Sequence, residues 1–261
     1  MANDFSGDAN CVALYKFESG ALTTDSEGGN TLTNNNTVTE DAVNYKEGAC
    51  SADFESGNNE YFNITDANLD AGFPLKNGDT TKIISVCGWI RPESDPGAMG
   101  IFAKWNYTNN KRSLAIIIEA GNAIQIWNGY NSGASYETKT HGSSLTLDAA
   151  HWYHIGAVHD GVNKTIFVKI WDDTAGSQLG SNIDTTWTNE TNVEDADLQI
   201  GSLEDANYTF DGLMDEVVVF KDKLTEAEID QIRAGTYGAA GGVAPTGALY
   251  GPLFGPLGGP I

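Results

Sequence analysis

Basic residues are scarce in this chain of 261 residues, in which 14 Lys+Arg stand against 36 Asp+Glu for a formal charge of −22. Binding to a phosphate backbone needs clustered cations that release counterions. Here they are scattered singly, with Lys111-Arg112 the closest pair, so nucleic acid is excluded as a partner. Long apolar runs are missing as well. IISVCGWI and the isoleucines at 116 to 118 fall far short of the roughly 18 residues that cross a bilayer, so no membrane span is expected. The opening MANDFSGDAN carries Asp4 and Asp8 in place of a basic and then apolar stretch, and no secretory signal is expected from it. Cysteine is limited to Cys11, Cys50 and Cys87, an odd and widely spread set that excludes a close zinc-binding pair. Reduced thiols in or near the core are expected, with a Cys11–Cys50 disulfide as the alternative.

Helical periodicity is also nearly absent from residues 11 to 223. In its place stand short β-branched and aromatic runs separated by Gly, Asn, Asp and Ser clusters: VALYKF, KIISVCGWI, IFAKW, SLAIIIEA, AIQIWN, HWYHIGAVHD, KTIFVKIWD and GLMDEVVVFKD. This spacing predicts an all-β, antiparallel two-sheet sandwich. One helix interrupts the pattern. In LTEAEIDQIRAG, Thr225 and Glu228 form a capping box, Leu224 and Ile229 a hydrophobic staple, and Gly235 stands at the C′ position.

Composition changes again near residue 238. No charge occurs from Ala234 to Ile261, and four of the seven prolines (Pro245, Pro252, Pro256, Pro260) fall there. Proline lacks the N–H, and glycine the conformational restriction, that a helix or central strand requires. The predicted organisation is a short N-terminal segment (1–10), a sandwich domain (11–238) and an extended Gly/Pro-rich tail (239–261).

The order of segments resembles the LamG-like jelly roll of the concanavalin A-like lectin/glucanase superfamily over about residues 11 to 236. ALYKFESG with DSEGGN, KEGACSADF, IISVCGWIRP and the HWYHIGAVHDGVNKTIFVKIWDD pair carry the likeness. So does the closing block LQIGSLEDANYTFDGLMDEVVVFKDKLTEAEIDQI. The resemblance implies a jelly-roll fold and a structural calcium held by Asp215, Glu18 and Gly48. SNIDTTWTNETNVEDAD departs from the family pattern.

Catalytic arrangements are lacking. Glucanases of the superfamily align three acids at a period of two on one strand. The nearest alternation here, Glu226, Glu228 and Asp230, lies on the predicted helix, where residues two apart diverge. Asp215 and Glu216 are adjacent and are expected on opposite faces of their strand. His151, His154 and His159 read as packing or hairpin residues, without a convergent metal set. No catalytic activity is expected.

Flat rings beside amides are the chemistry of sugar recognition. Trp105, Asn106, Tyr107, Trp127, Asn128 and Tyr130 are therefore the candidate glycan-binding residues, with core or edge packing of the rings as the alternative. In the tail, Leu249, Tyr250, Leu253, Phe254, Leu257 and Ile261 are candidate partner-binding residues, because burying each would gain on the order of 1.5 kcal/mol. A start at Met1, strong acidity and an apolar arm lead us to expect a non-catalytic structural or adhesion module on the surface of a phage particle. On this reading the tail binds other virion proteins or copies of itself in a homo-oligomeric assembly. The alternative is a calcium-dependent, extracellular glycan-binding lectin module. A carbohydrate-active enzyme stands third.

Overall fold

The computed structural model describes residues 2–95 and 97–238. The tail expectation, with Leu249, Tyr250, Leu253, Phe254, Leu257 and Ile261, lies outside the described residues. Short strands open the chain: β1 (Cys11–Tyr15), β2 (Thr33–Asn35), β3 (Thr39–Asp41), β4 (Ser51–Phe54) and β5 (Tyr61–Ile64). Longer ones follow: β6 (Ile83–Pro92), β7 (Met99–Asn106), β8 (Lys111–Ile118), β9 (Ala123–Tyr130) and β10 (Ser135–Ser144). Then come β11 (Tyr153–Asp160), β12 (Thr165–Asp172), β13 (Ser177–Gln178), β14 (Ile183–Thr186), β15 (Leu198–Ile200), β16 (Gly212–Phe220) and the helix α1 (Glu226–Arg233).

Two antiparallel sheets result. One runs β13-β12-β11-β6-β16-β4-β3, with β1 on β16 and β14 on β12, and the other runs β10-β9-β8-β7-β15-β5-β2. Side chains alternate between faces along each strand. Phe62, Phe102, Ile116, Ile126, Ile155 and Val219 meet between the sheets in the main core. The all-β sandwich expected from sequence is present.

The outer face of the nine-stranded sheet is covered. Leu14, Cys87 and Val218 pack there against Ile229 and Ile232 of α1 and against Phe5 and Tyr237. The helix approaches β11 so closely that a Cβ on Gly156 would lie 2.4 Å from Ile229 Cγ2. α1 begins with the expected capping box at Thr225 and Glu228, and Gly235 follows in the left-handed region (φ 67°). Lys169 reaches from β12 to Glu226 and Asp230 at 2.8 Å each, fastening the helix to the sheet. All three cysteines are free.

Candidate functional site

The seven-stranded sheet presents a different outer face. Ala103, Trp105, Ala115, Ile117 and Leu203 form a third, smaller cluster on the side away from the main core, with Trp127 packed against it. Three further aromatic contacts extend this cluster outward. Tyr136 stacks on Trp127 (centroids 5.0 Å apart) and meets Trp105 edge-on at 5.4 Å. Tyr107 lies 6.5 Å from Tyr136, and the Arg112 guanidinium sits 4.0 Å over the Tyr107 ring. Arg112 is itself held by donating to the carbonyls of Gly133 (2.6 Å) and Tyr107 (2.8 Å). Tyr107 is 56% and Tyr136 38% exposed, whereas Trp105 is fully buried. Trp127, Tyr136 and Tyr107 thus make a partly exposed ridge with Trp105 beneath it.

Beside the ridge is a cavity of about 100 Å³, open to solvent and lined by Trp105, Asn106, Lys111, Asp195, Asp197, Gln199 and Asp205, with Ala196 in its wall. Its walls are pinned from below. Lys104 is buried with its ammonium donating to Asp66 Oδ1 (2.5 Å) and to the Ala196 carbonyl (2.6 Å), which fixes the segment before β15. Burial pulls the Lys104 ammonium below its ordinary value, while Asp66 opposes the change. Gln199 and Asp205 bond in both directions, Nε2 to Oδ1 and amide N to Oε1, at 2.9 Å each. Glu204 accepts from the amides of Tyr107 (2.8 Å) and Thr108 (3.1 Å) and ties the two loops together.

The candidate glycan residues divide. Trp105 and Asn106 line the cavity, and Trp127 and Tyr107 belong to the ridge. Asn128 does not join them, because one residue after Trp127 the strand turns it to the opposite face. There it is fully buried, accepts from Thr191 Oγ1 (2.7 Å) and donates to the Asn189 carbonyl (3.2 Å). Tyr130, at the end of β9, shares that side of the strand. Tyr136, Asp197, Gln199 and Asp205 were not singled out from sequence. Tyr136 sits in a polar run, SYETKT, whose period-two pattern marks a strand with an outward Tyr. The cavity acids come from two loops that no spacing rule joins.

The residues implied for calcium lie elsewhere, Asp215 in β16 of the other sheet and Glu18 and Gly48 in loops. Asp215 is fully buried in β16, and its Oδ2 accepts from the amides of Lys46 (2.7 Å) and Glu47 (3.1 Å). Its Oδ1 has no partner among the described residues. Glu18 accepts from the Ala49 amide at 3.0 Å. A Cβ on Gly48, which has φ 75°, would fall 1.3 Å from Glu18 Oε1. Burial, reinforced by Glu18, raises Asp215 to about 7. Burial, with Asp215 next, raises Glu216 to about 8.

The alternation expected of Asp215 and Glu216 is interrupted. The pairing of β16 with β6 shifts between Asp215 and Val218, and Glu216 takes a left-handed φ of 51°. That is a β-bulge. No group of three or more His, Cys, Asp or Glu side chains is arranged to hold a metal among the described residues. A cation at Asp215 and Glu18 would therefore need backbone carbonyls in its shell. The orphaned Oδ1 and the carboxylate seated on Gly48 fit a hard, oxygen-liking ion.

Similarity to known proteins agrees with this architecture. No curated protein sequence matches the chain. Among solved structures, domain 4 of AbnA, a GH43 extracellular arabinanase from Geobacillus stearothermophilus in complex with arabinotriose, is similar with a TM-score of 0.60. It is 18% identical, and the match covers 85% of this chain and 98% of that one. The binding domain of Paraclostridial Mosquitocidal Protein 1 has a TM-score of 0.61 at 15% identity, covering 85% of this chain and 51% of that one. The receptor-binding domain of botulinum neurotoxin type G has a TM-score of 0.58 at 15% identity, covering 87% and 51%. The chain spans about half the length of these toxin domains. A family model for Laminin_G_3, described as concanavalin A-like lectin/glucanases superfamily, matches residues 56–230, and with the two-sheet sandwich that matched segment builds, the chain belongs to this family.

Proposed function

We propose that this protein is a non-catalytic glycan-binding module whose ligand lies across the outer face of the seven-stranded sheet. The observation that carries the reading is the ridge of Trp127, Tyr136 and Tyr107, solvent-facing rings held in place by Trp105 and Arg112. Such rings stack on the apolar faces of sugars, and their packed bases keep the ordering cost low. Similarity to a domain in complex with arabinotriose and to toxin binding domains supports the same reading.

Calcium belongs to this proposal as a structural ion. Asp215 and Glu18, with carbonyls near Gly48, would hold it. When bound, it would neutralise the Asp215 carboxylate, whose charge burial otherwise disfavours. The N-terminal half of the β16 bulge and the loop around Gly48 would be tied together by it.

The charge-free run 239–261 supports a second role for the same chain, display on a phage particle. In that role the run anchors the module to virion proteins or to further copies of itself, and the acidic bodies repel one another and stay apart. A printed glycan array, followed by titration calorimetry with the glycans that bind, tests the primary reading. Trp127→Ala and Tyr136→Ala should each weaken binding at least tenfold without changing the circular dichroism spectrum. An array with no binding, using both the isolated chain and a multivalent form of it, would refute the glycan role.

A further inference from the structure

Resting on the glycan reading above, we infer that the cavity beside the ridge is a subsite for the hydroxyl groups of an uncharged sugar residue and that it rejects acidic sugars. The argument starts from one donor. Trp105 is fully buried and lines this cavity, yet its indole Nε1 has no hydrogen-bond partner among the described residues. A buried N–H without an acceptor is costly, and a ligand oxygen would relieve it.

The other walls offer mainly acceptors. Asp197 makes only long contacts, receiving Asn63 Nδ2 and the Asp66 amide at 3.4 Å each, which leaves its oxygens free to accept from a ligand. Asp205 has one oxygen fixed by Gln199. Asp195 is paired with Lys111 at 2.9 Å. Three carboxylates thus face one ammonium, so the cavity carries a net charge of 1 − 3 = −2.

The ligand group must therefore accept from an indole N–H and donate to carboxylates. A ligand carboxylate or phosphate accepts only and would be repelled. An ammonium donates only and leaves Trp105 unpaired. A hydroxyl does both. Burial and the like charges of Asp197 and Glu204 already hold Asp205 above its ordinary value, so a further anion there would be opposed by the same field. The loop that supplies Asp205 also holds three non-glycine residues at positive φ, Asp205 (36°), Ala206 (66°) and Tyr208 (54°). Strain of this kind concentrates where a loop is held for binding.

Calorimetry on the full chain tests the inference, with arabinotriose, cellotriose, galactotriose and maltotriose as neutral probes and trigalacturonate as the acidic one. At least one neutral probe should bind, and trigalacturonate should not. Trp105→Phe should weaken the neutral probe several-fold. Asp197→Asn with Asp205→Asn, both accessible positions, should improve trigalacturonate relative to the neutral probe by roughly fivefold per charge removed. A merely structural role for these residues would not change that ratio. Neutral binding that Trp127→Ala abolishes, but that the Asp197/Asp205 pair leaves unchanged in affinity and in selectivity, overturns the subsite and leaves the glycan reading standing. Preference of the wild type for trigalacturonate also overturns the subsite. Failure of every neutral probe overturns the subsite, and the glycan reading falls with it only if the array also shows no binding.

Discussion

His159 offers a quantitative test of how the segment 187–192 is held beside Asn128. Its Nδ1 accepts from Trp187 Nε1 at 3.1 Å, so the proton of the neutral ring lies on Nε2, which donates to Thr191 Oγ1 at 2.6 Å. Thr191 then donates to Asn128 Oδ1. Because Nδ1 already accepts from the Trp187 N–H, a second ring proton placed there would find no acceptor. Burial depresses His159 from 6.5 to about 4, with Asp160 partly opposing. Because the folded value is the lower one, the unfolded chain binds the extra proton between pH 4 and 6.5. The stability is complete above about pH 6.5 and is lost as pH falls toward 4.

Between pH 7 and pH 5 this one residue should remove about 2 kcal/mol of stability. For a domain of this size that lowers Tm by roughly 4–8 °C. His154, which burial depresses to about 3, adds a similar loss, while Asp215 and Glu216 act in the opposite sense. The diagnostic quantity is therefore the difference between wild type and His159→Gln, since glutamine can accept from Trp187 and donate to Thr191 without titrating. Urea unfolding at pH 7 and pH 5 should show the variant less stable at pH 7 but with an acid loss smaller by about 2 kcal/mol. Equal acid losses in the two proteins would refute the assignment of His159 as the buried neutral ring.

Other outcomes follow from the proposed calcium site and the proposed role of the tail. A chelator should lower Tm, and excess calcium should restore it by mass action. Asp215→Asn should abolish that response, and in chelator at pH 8 it should exceed the wild type by up to about 4 kcal/mol, since a raised carboxylate value means the wild-type fold loses stability as pH rises from about 4 to 7 and the loss is complete at pH 8. Gly48→Ala should cost about 1–3 kcal/mol through its positive φ, and it should blunt the calcium response because the new Cβ displaces Glu18. Deleting 239–261 should leave a β-type circular dichroism spectrum and abolish incorporation into a particle. Wild-type occupancy of the truncated chain would place attachment on the sandwich.

Much of the fold was legible along the chain because its causes are local. Period-two runs such as IISVCGWI and HWYHIGAV put alternate side chains on two faces, and both became central strands of the nine-stranded sheet. Thr225, Glu228 and Gly235 lie within one short segment, so the helix and its ends could be read directly. Asp215 and Glu18, brought near Gly48, were reachable only through a family resemblance, since about 200 residues separate the first two.

The proposed binding face was legible only in part. Trp105 and Trp127 could be named from their chemistry, but whether a ring faces core or solvent depends on which neighbours cover that sheet face. Asn128 shows the same limit in reverse, since the register of β9 and the loop bearing Thr191 turned it inward. Asp197 and Asp205 meet Trp105 because the pairing of β15 with β7 brings their loops to its side. Local hydrophobic period thus determined the strands, the capped helix and the two-sheet class from sequence alone. The tertiary structure decided which rings stay partly exposed, which amide is sealed in and which acids share a cavity, because these depend on long-range pairing that no local pattern encodes.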